Sequence, residues 1–213
     1  MRLILVLAAL ACWSAGPAGA QDLRVIDGDT FEMRGEIHRI NGIDAPEHGQ
    51  KCGKWACGKA ATDALAELLT GARVDCVIHG RDAYGRAIST CVVNGEDIGK
   101  LLVERGVAWA FLRFSDAYAQ QQLDAKSRKL GIWSGDYQTA WDFRAERWSA
   151  AARADDAPEG CPIKGNISKN GRIYHAPWSP WYSRTRINTA KGERWFCNEA
   201  EARRAGWRAP YWR

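Results

Sequence analysis

The sequence predicts an α+β protein: a small five-stranded barrel with packed helices, followed by a compact unit rich in Cys and Trp. Short apolar runs bounded by Asp-Gly and Tyr-Gly turns cluster before residue 95, and segments with helical spacing lie between and after them. The charge balance then changes. Residues 21–157 carry 18 basic and 21 acidic side chains, whereas residues 158–213 carry 11 and 4. A slightly acidic body precedes a basic tail.

Val25 to Met33 reads as a hairpin, because Asp27-Gly28 is a strong turn signal between apolar residues, and Ile37 to Ile43 reads as a third strand. From Trp55 to Leu69, the residues Ala61, Leu65 and Leu68 recur at helical spacing, and Gly71 supplies a stop. Val74, Cys76 and Ile78 alternate as in a half-buried strand, with Ile88 to Val93 as its partner across the turn at Arg86. Ile98 to Arg105, Asp116 to Lys129 and Trp141 to Ala152 read as further helices. This order fits the five-stranded Greek-key barrel called the OB-fold, which commonly binds nucleic acids or sugar polymers. Such an architecture does not name a substrate.

Arg2, the apolar run Leu3 to Ala11 and Ala18-Gly19-Ala20 before Gln21 have the parts of a secretory signal peptide. The apolar run is far short of the ~20 residues that a membrane span needs. A periplasmic or secreted protein is therefore expected. Its remaining cysteines, Cys52, Cys57, Cys76, Cys91, Cys161 and Cys197, then suit disulfides. Connectivity is open in the sequence; pairing of neighbours, 52 with 57, 76 with 91 and 161 with 197, is the expectation. The expected layout is a signal peptide at 1–20, a barrel domain with a helical extension at 21–153, a linker at 154–160 and a small basic aromatic unit at 161–213.

Asp27, Asp29, Arg39, Asp44 and Glu47 fall on segments that read as adjacent strands. Paired carboxylates neutralise a hard cation through oxygen ligands, a further carboxylate takes a proton from water, and an arginine grips a phosphate bidentately. Arg86, lifted by the turn Asp82-Ala83-Tyr84-Gly85, adds a second positive charge for a dianionic transition state. Together these are the parts of a divalent-metal phosphodiesterase. Taken singly, each has a plainer reading: Asp27 as a turn residue, Glu47 as a surface residue, Arg39 as a structural ion pair, Tyr84 as packing.

The ordered set IDGDT, R-x-x-x-x-D-A-P-E, D-A-Y-G-R, Leu101 to Ala110 and Leu130-Gly131-Ile132-Trp133-Ser134 resembles the staphylococcal-nuclease (thermonuclease) family from about Leu23 to Gly135. The resemblance implies that Asp29, Asp44 and the backbone carbonyl of Ala45 hold Ca2+, that Glu47 is the general base, and that Arg39 and Arg86 contact the scissile phosphate. It places Tyr84 and Phe114 near the nucleobase. The chain departs from the family at Ala45, often Thr, and from the type enzyme at Ala83, a lysine there, and Leu112, a tyrosine there. The implied activity is that of an exported monomer that hydrolyses DNA and RNA, preferring single-stranded or frayed segments, with in-line attack by water and 3'-phosphate products. A non-catalytic nucleic-acid-binding module and an envelope or exopolysaccharide-associated module are the alternatives.

The tail from Cys161 to Trp207 resembles the small "sunset" domain that follows nuclease domains in some bacterial proteins. Asn198 and Glu201 form a capping-box pattern and Gly206 a stop, so Glu199 to Ala205 is expected to be helical. Basic residues interleaved with Trp and Tyr suit nucleic acid, although the tryptophans also suit the core of a small module. Cys161, His175 and Cys197 offer three zinc ligands without a convincing fourth.

Overall fold

A computed structural model describes residues 22–153 and 157–211. The expected signal peptide, and part of the expected linker, lie outside the described residues. The chain runs through β1 (Leu23–Asp27), β2 (Thr30–Met33), β3 (Glu36–Ile40), β4 (Ile43–Asp44), α1 (Cys57–Leu69), β5 (Val74–Arg81), β6 (Ala87–Val93), β7 (Glu96–Asp97), α2 (Ile98–Glu104), β8 (Trp109–Ala110), α3 (Ala119–Ser127) and α4 (Ala140–Ala152).

In the first hairpin Val25 lies opposite Phe31, and both are buried. The register shifts between Val25 and Asp27, a bulge that re-aims the strand end toward the site. Gly28 between Asp27 and Asp29 is required by packing: a Cβ there would stand 2.7 Å from the Ala61 Cβ of α1 and 2.9 Å from the Ala45 Cβ. The residue read as a turn former thus also lets α1 approach the strand.

The sheet follows the order β1-β2-β3-β6-β5, with β7 added on β6. Most pairs are antiparallel, but β3 and β6 run parallel, with Arg39 beside Ile88. Among the described residues no ladder joins β1 to β5, so the sheet is mixed and the expected five-stranded barrel does not close. α1 packs on β1 and buries Ala61, Leu65 and Leu69 one turn apart, a row set by the helical period. The expected third strand also divides. Asn41 N–H donates to the Ser89 carbonyl, the chain turns at Gly42, and β4 pairs with β8 instead.

β9 (Ile163–Ser168), β10 (Gly171–His175), β11 (Arg194–Phe196) and α5 (Glu199–Arg204) follow. The strands form a separate antiparallel sheet in the order β10-β9-β11. Its core holds Ile163, Tyr174, Phe196, Ala202 and Trp207, with Ile26 of β1 and Trp148 of α4 packed against it. Tyr211 Oη donates to Glu32 Oε2 at 2.7 Å, another tie to the first sheet. The α5 cap differs slightly from the expected box. Asn198 Oδ1 accepts from Glu201 N–H, but Glu201 Oε2 accepts from Cys197 N–H.

Disulfides join Cys52 with Cys57, Cys76 with Cys91 and Cys161 with Cys197. This removes the zinc reading of the last pair. His175 instead lies between Asn166 Oδ1 at 3.1 Å and Ser179 Oγ at 3.3 Å.

Two expectations follow for stability. The Cys76–Cys91 bridge closes a separation of 15 residues, so a Cys76→Ala/Cys91→Ala variant should lose about 3 kcal/mol in urea denaturation. His48 and His175 are both pushed down to about 4, first by burial. A depressed histidine favours the fold above its ordinary value of 6.5, and that contribution is lost as pH falls through the folded value. Urea midpoints should therefore decline between pH 6.5 and 4, and less steeply in His175→Gln.

Candidate active site

Both oxygens of Asp29 are engaged by neighbours that the hairpin, β3 and the residue after β4 supply. Asp29 Oδ1 accepts from Thr30 Oγ1 at 2.7 Å and from Arg39 Nη1 at 2.7 Å, while Oδ2 accepts from Ala45 N–H at 3.1 Å. Arg39 stands opposite Thr30 across the β2–β3 ladder, so pairing places its guanidinium beside Asp29. Its other arm, Nη2, donates to Asp44 Oδ1 at 2.7 Å. One guanidinium bridges two buried carboxylates.

A second arginine completes this network, and the sequence reading missed it. From α4, Arg144 donates through Nη1 to Asp44 Oδ1 at 3.1 Å and to Glu47 Oε1 at 2.7 Å, and through Nη2 to Asp44 Oδ2 at 2.8 Å. Thr139 caps α4, accepting from Asp142 N–H, and Phe143 buries the adjoining face. No local motif marks Arg144, because its partners lie 97 and 100 residues away. Gln50 is also a new participant. Fully buried, it accepts from Glu47 N–H through Oε1 and donates its Nε2 to the Gln138 carbonyl, fixing the loop that carries Glu47.

Asp27 is more than a turn residue. Its Oδ1 accepts from Gly28 N–H, and its carboxyl shares a hydrogen bond with Glu47. Burial raises the Asp27 pKa well above the usual carboxylate range, and the charge of Glu47 adds to this. Burial also raises Glu47, against the pull of Arg144. Asp29 ends lower than usual despite burial, because Arg39, Thr30 and Ala45 N–H favour its anion.

Arg86 projects from the β5–β6 turn, where Asp82 Oδ1 accepts the Tyr84 and Arg86 N–H groups and Asp82 Oδ2 accepts from Arg86 Nε at 2.6 Å. The guanidinium lies 5.3 Å from the Tyr84 ring. Arg86 also contributes to lowering Asp29, so it reaches the same field. Asp29, Arg39, Glu47, Tyr84, Arg86 and Phe114 all line one cavity of about 750 Å³. Phe114 is 73% exposed and Tyr84 40%, so both rings are accessible to a ligand. Ala45 is buried beside the pair of aspartates.

The donor set suits a hard divalent cation. Asp29, Asp44 and Glu47 are paired with Arg39 and Arg144, and burial first, then neighbouring carboxylates, raise the pKa values of Asp27 and Glu47. Among the described residues, Oδ2 of Asp29, on the cavity wall, accepts a single hydrogen bond and can take another partner, and Oδ2 of Asp44 also accepts one but is fully buried behind that wall. Oxygen ligands without thiolate or imidazole match Ca2+ or Mg2+ chemistry. Another grouping, His38 with Cys76 and Cys91, brings its ligand atoms close together, but its cysteines are joined as a disulfide.

Acidic oxygens, clamping arginines and flanking aromatic rings in one cavity define a phosphodiester-hydrolase class of site. The chain belongs to the staphylococcal nuclease homologue family. A family model of that description matches residues 38–135, and a second, described as ArfC, matches residues 144–209. The second match starts at Arg144 and extends through α4 into the tail. The chain is 39% identical over 133 residues to the succinoglycan biosynthesis protein ExoI of Rhizobium meliloti (strain 1021), covering 58% of this chain and 69% of that protein. It is 32% identical over 130 residues to an uncharacterized endonuclease of Escherichia coli O157:H7, covering 57% and 82%. It is 37% identical over 134 residues to the probable endonuclease lcl3 of Botryotinia fuckeliana (strain B05.10), covering 54% and 50%.

Two substitutions test this geometry. A Cβ on Gly58 would overlap the Glu47 carbonyl, so Gly58→Ala must shift the Glu47 loop or α1. It should cost about 1–3 kcal/mol in denaturation and lower turnover. Arg144→Gln leaves Asp44 and Glu47 without their shared cation and should destabilise the chelator-treated protein by about 3 kcal/mol or more. Added divalent cation should restore part of that loss, visible as a larger rise in unfolding midpoint than in wild type.

Proposed function

We propose that the protein is an exported Ca2+-dependent nuclease that hydrolyses phosphodiester bonds in both DNA and RNA. The observation that carries this reading is the Arg39 fork between Asp29 and Asp44, with Glu47 beside it in a cavity bordered by Tyr84, Arg86 and Phe114. Asp29, Asp44 and the Ala45 carbonyl would hold the cation. When bound, it supplies charge neutralisation at the phosphate and makes water more acidic.

The chain's own residues perform the remaining tasks. Glu47, raised by burial, is a better proton acceptor than an exposed glutamate and takes the proton of the attacking water. Asp27 shares its hydrogen bond and steadies its position. Arg39 retains N–H donors beyond those spent on the aspartates, and Arg86 can exchange Asp82 for a phosphate oxygen; together they offset charge that develops in the transition state. Tyr84 and Phe114 stack on bases without reading them, which suits a sugar- and sequence-tolerant substrate. In-line attack and 3'-phosphate products follow from the family resemblance. No described helix is long and apolar enough to cross a membrane.

A second reading is favoured by the similarity to ExoI, whose name ties that protein to succinoglycan biosynthesis. There the same cavity would serve an envelope or exopolysaccharide task.

Release of acid-soluble nucleotides from DNA and RNA separates the two. It should require divalent cation, stop with chelator, and fall about 100-fold or more in Glu47→Gln. Polysaccharide binding without nucleic-acid cleavage would instead support the second reading.

A further inference from the structure

This inference rests on the nuclease reading and extends it to the C-terminal unit. The far wall of the catalytic cavity is built by α4 and by that unit: Trp148, Trp178, Tyr174 and Arg203 line it together with Asp29, Arg39 and Glu47. Its volume, about 750 Å³, lies in the range of sites that enclose small organic ligands.

Arg203, on α5, has a buried Nη2 with no hydrogen-bond partner among the described residues. Buried polar groups are nearly always paired, and a cationic donor more so, so this nitrogen is suited to an anion. The same side chain lines a smaller cleft with Asp82, Tyr84 and Gly85, the turn that carries Arg86. Burial, and secondarily Glu199, push the Tyr174 hydroxyl well up, while the charges of Arg203 and Arg86 oppose that shift. Glu199 on the same wall is engaged by that hydroxyl at 3.0 Å.

The tryptophans of this region divide by role. Trp207 is buried edge-on against Phe196 in the core, and Trp181 packs on His175. Trp178 and Trp148 are half-buried, face the cavity and tilt toward each other at 34°, with centroids 6.3 Å apart. Their rings are placed for stacking on a planar group inside the catalytic cavity.

We propose that α4 and the C-terminal unit form a second strand-binding subsite beside the scissile phosphate. Arg203 binds the neighbouring backbone phosphate of a nucleic-acid strand, and Trp178, backed by Trp148, stacks on its base. The basic tail is then part of the active-site cleft rather than an appended module.

The test uses the full chain with chelator and a labelled short single-stranded oligonucleotide, whose affinity is titrated against salt. Arg203→Gln should lower the slope of log K against log salt by about 0.7, and Arg203→Lys should keep it. Trp178→Ala should weaken binding about five-fold or more, and Trp178→Phe should recover most of that loss. With divalent cation, Arg203→Gln should lower kcat/KM more on the oligonucleotide than on a bis-nitrophenyl phosphodiester, which has a single phosphate. Unchanged slope and affinity in Arg203→Gln and Trp178→Ala overturn the subsite, as does an equal loss on both substrates. Absence of hydrolysis in the wild type, on either substrate, overturns the nuclease reading and leaves the binding result to stand by itself. Polysaccharide displacing the oligonucleotide at the same residues also counts against the subsite.

Discussion

Four carboxylates share one largely buried pocket, and their mutual repulsion is the constraint to which much of the surrounding structure answers. Asp27, Asp29, Asp44 and Glu47 cannot all ionise there without compensation. Arg39 and Arg144 supply it within the chain, one between Asp29 and Asp44, the other between Asp44 and Glu47. Burial, and then the charge of Glu47, favour the protonated form at Asp27. The same excess of negative charge makes the pocket receptive to a hard cation. A residual affinity of this kind is a property of the cluster rather than of any single aspartate.

Backbone packing holds that cluster in register. α1 approaches the site at Gly28 and Gly58, and at each a Cβ would collide with neighbouring atoms. Gln50 ties the Glu47 loop to the Gln138 carbonyl, just before α4. Because α4 also delivers Arg144, the segment after residue 135 shapes the site that the earlier segment furnishes. The two family matches meet near this point, one ending at residue 135 and the other starting at 144. Chemistry and wall thus come from different parts of the chain, and the tail core reaches back to Ile26 on the first strand.

Legibility followed sequence distance. Asp29, Arg39, Asp44 and Glu47 are legible because they fall in one short stretch, from the β1–β2 turn through β3 and β4 to the loop that follows, where the order of residues nearly fixes their proximity. Neighbouring cysteines were legible as pairs for a similar reason, being few residues apart or facing one another across a hairpin such as Cys76 and Cys91. The helix at 57–69 follows from apolar spacing without a side-chain cap, whereas Asp97 and Thr139 cap those at 98–104 and 140–152. Arg144 and Arg203 were not legible: each is one arginine among many in a polar helix, and nothing local distinguishes the one that turns inward.

The sequence by itself determined the chemistry available, namely oxygen ligands, a glutamate after Pro46, two arginines and accessible aromatic rings, because these reside in contiguous motifs. It also determined the contrast between an acidic body and a basic tail. Tertiary structure decided that the sheet stays open where α1 packs against β1, that β4 leaves β3 to pair with β8, and that Asp27 faces Glu47. It decided, too, that α4 and the C-terminal unit close over the carboxylates. The physical reason is that charge compensation and cavity walls depend on which surfaces meet, and those meetings are set by packing between segments about a hundred residues apart.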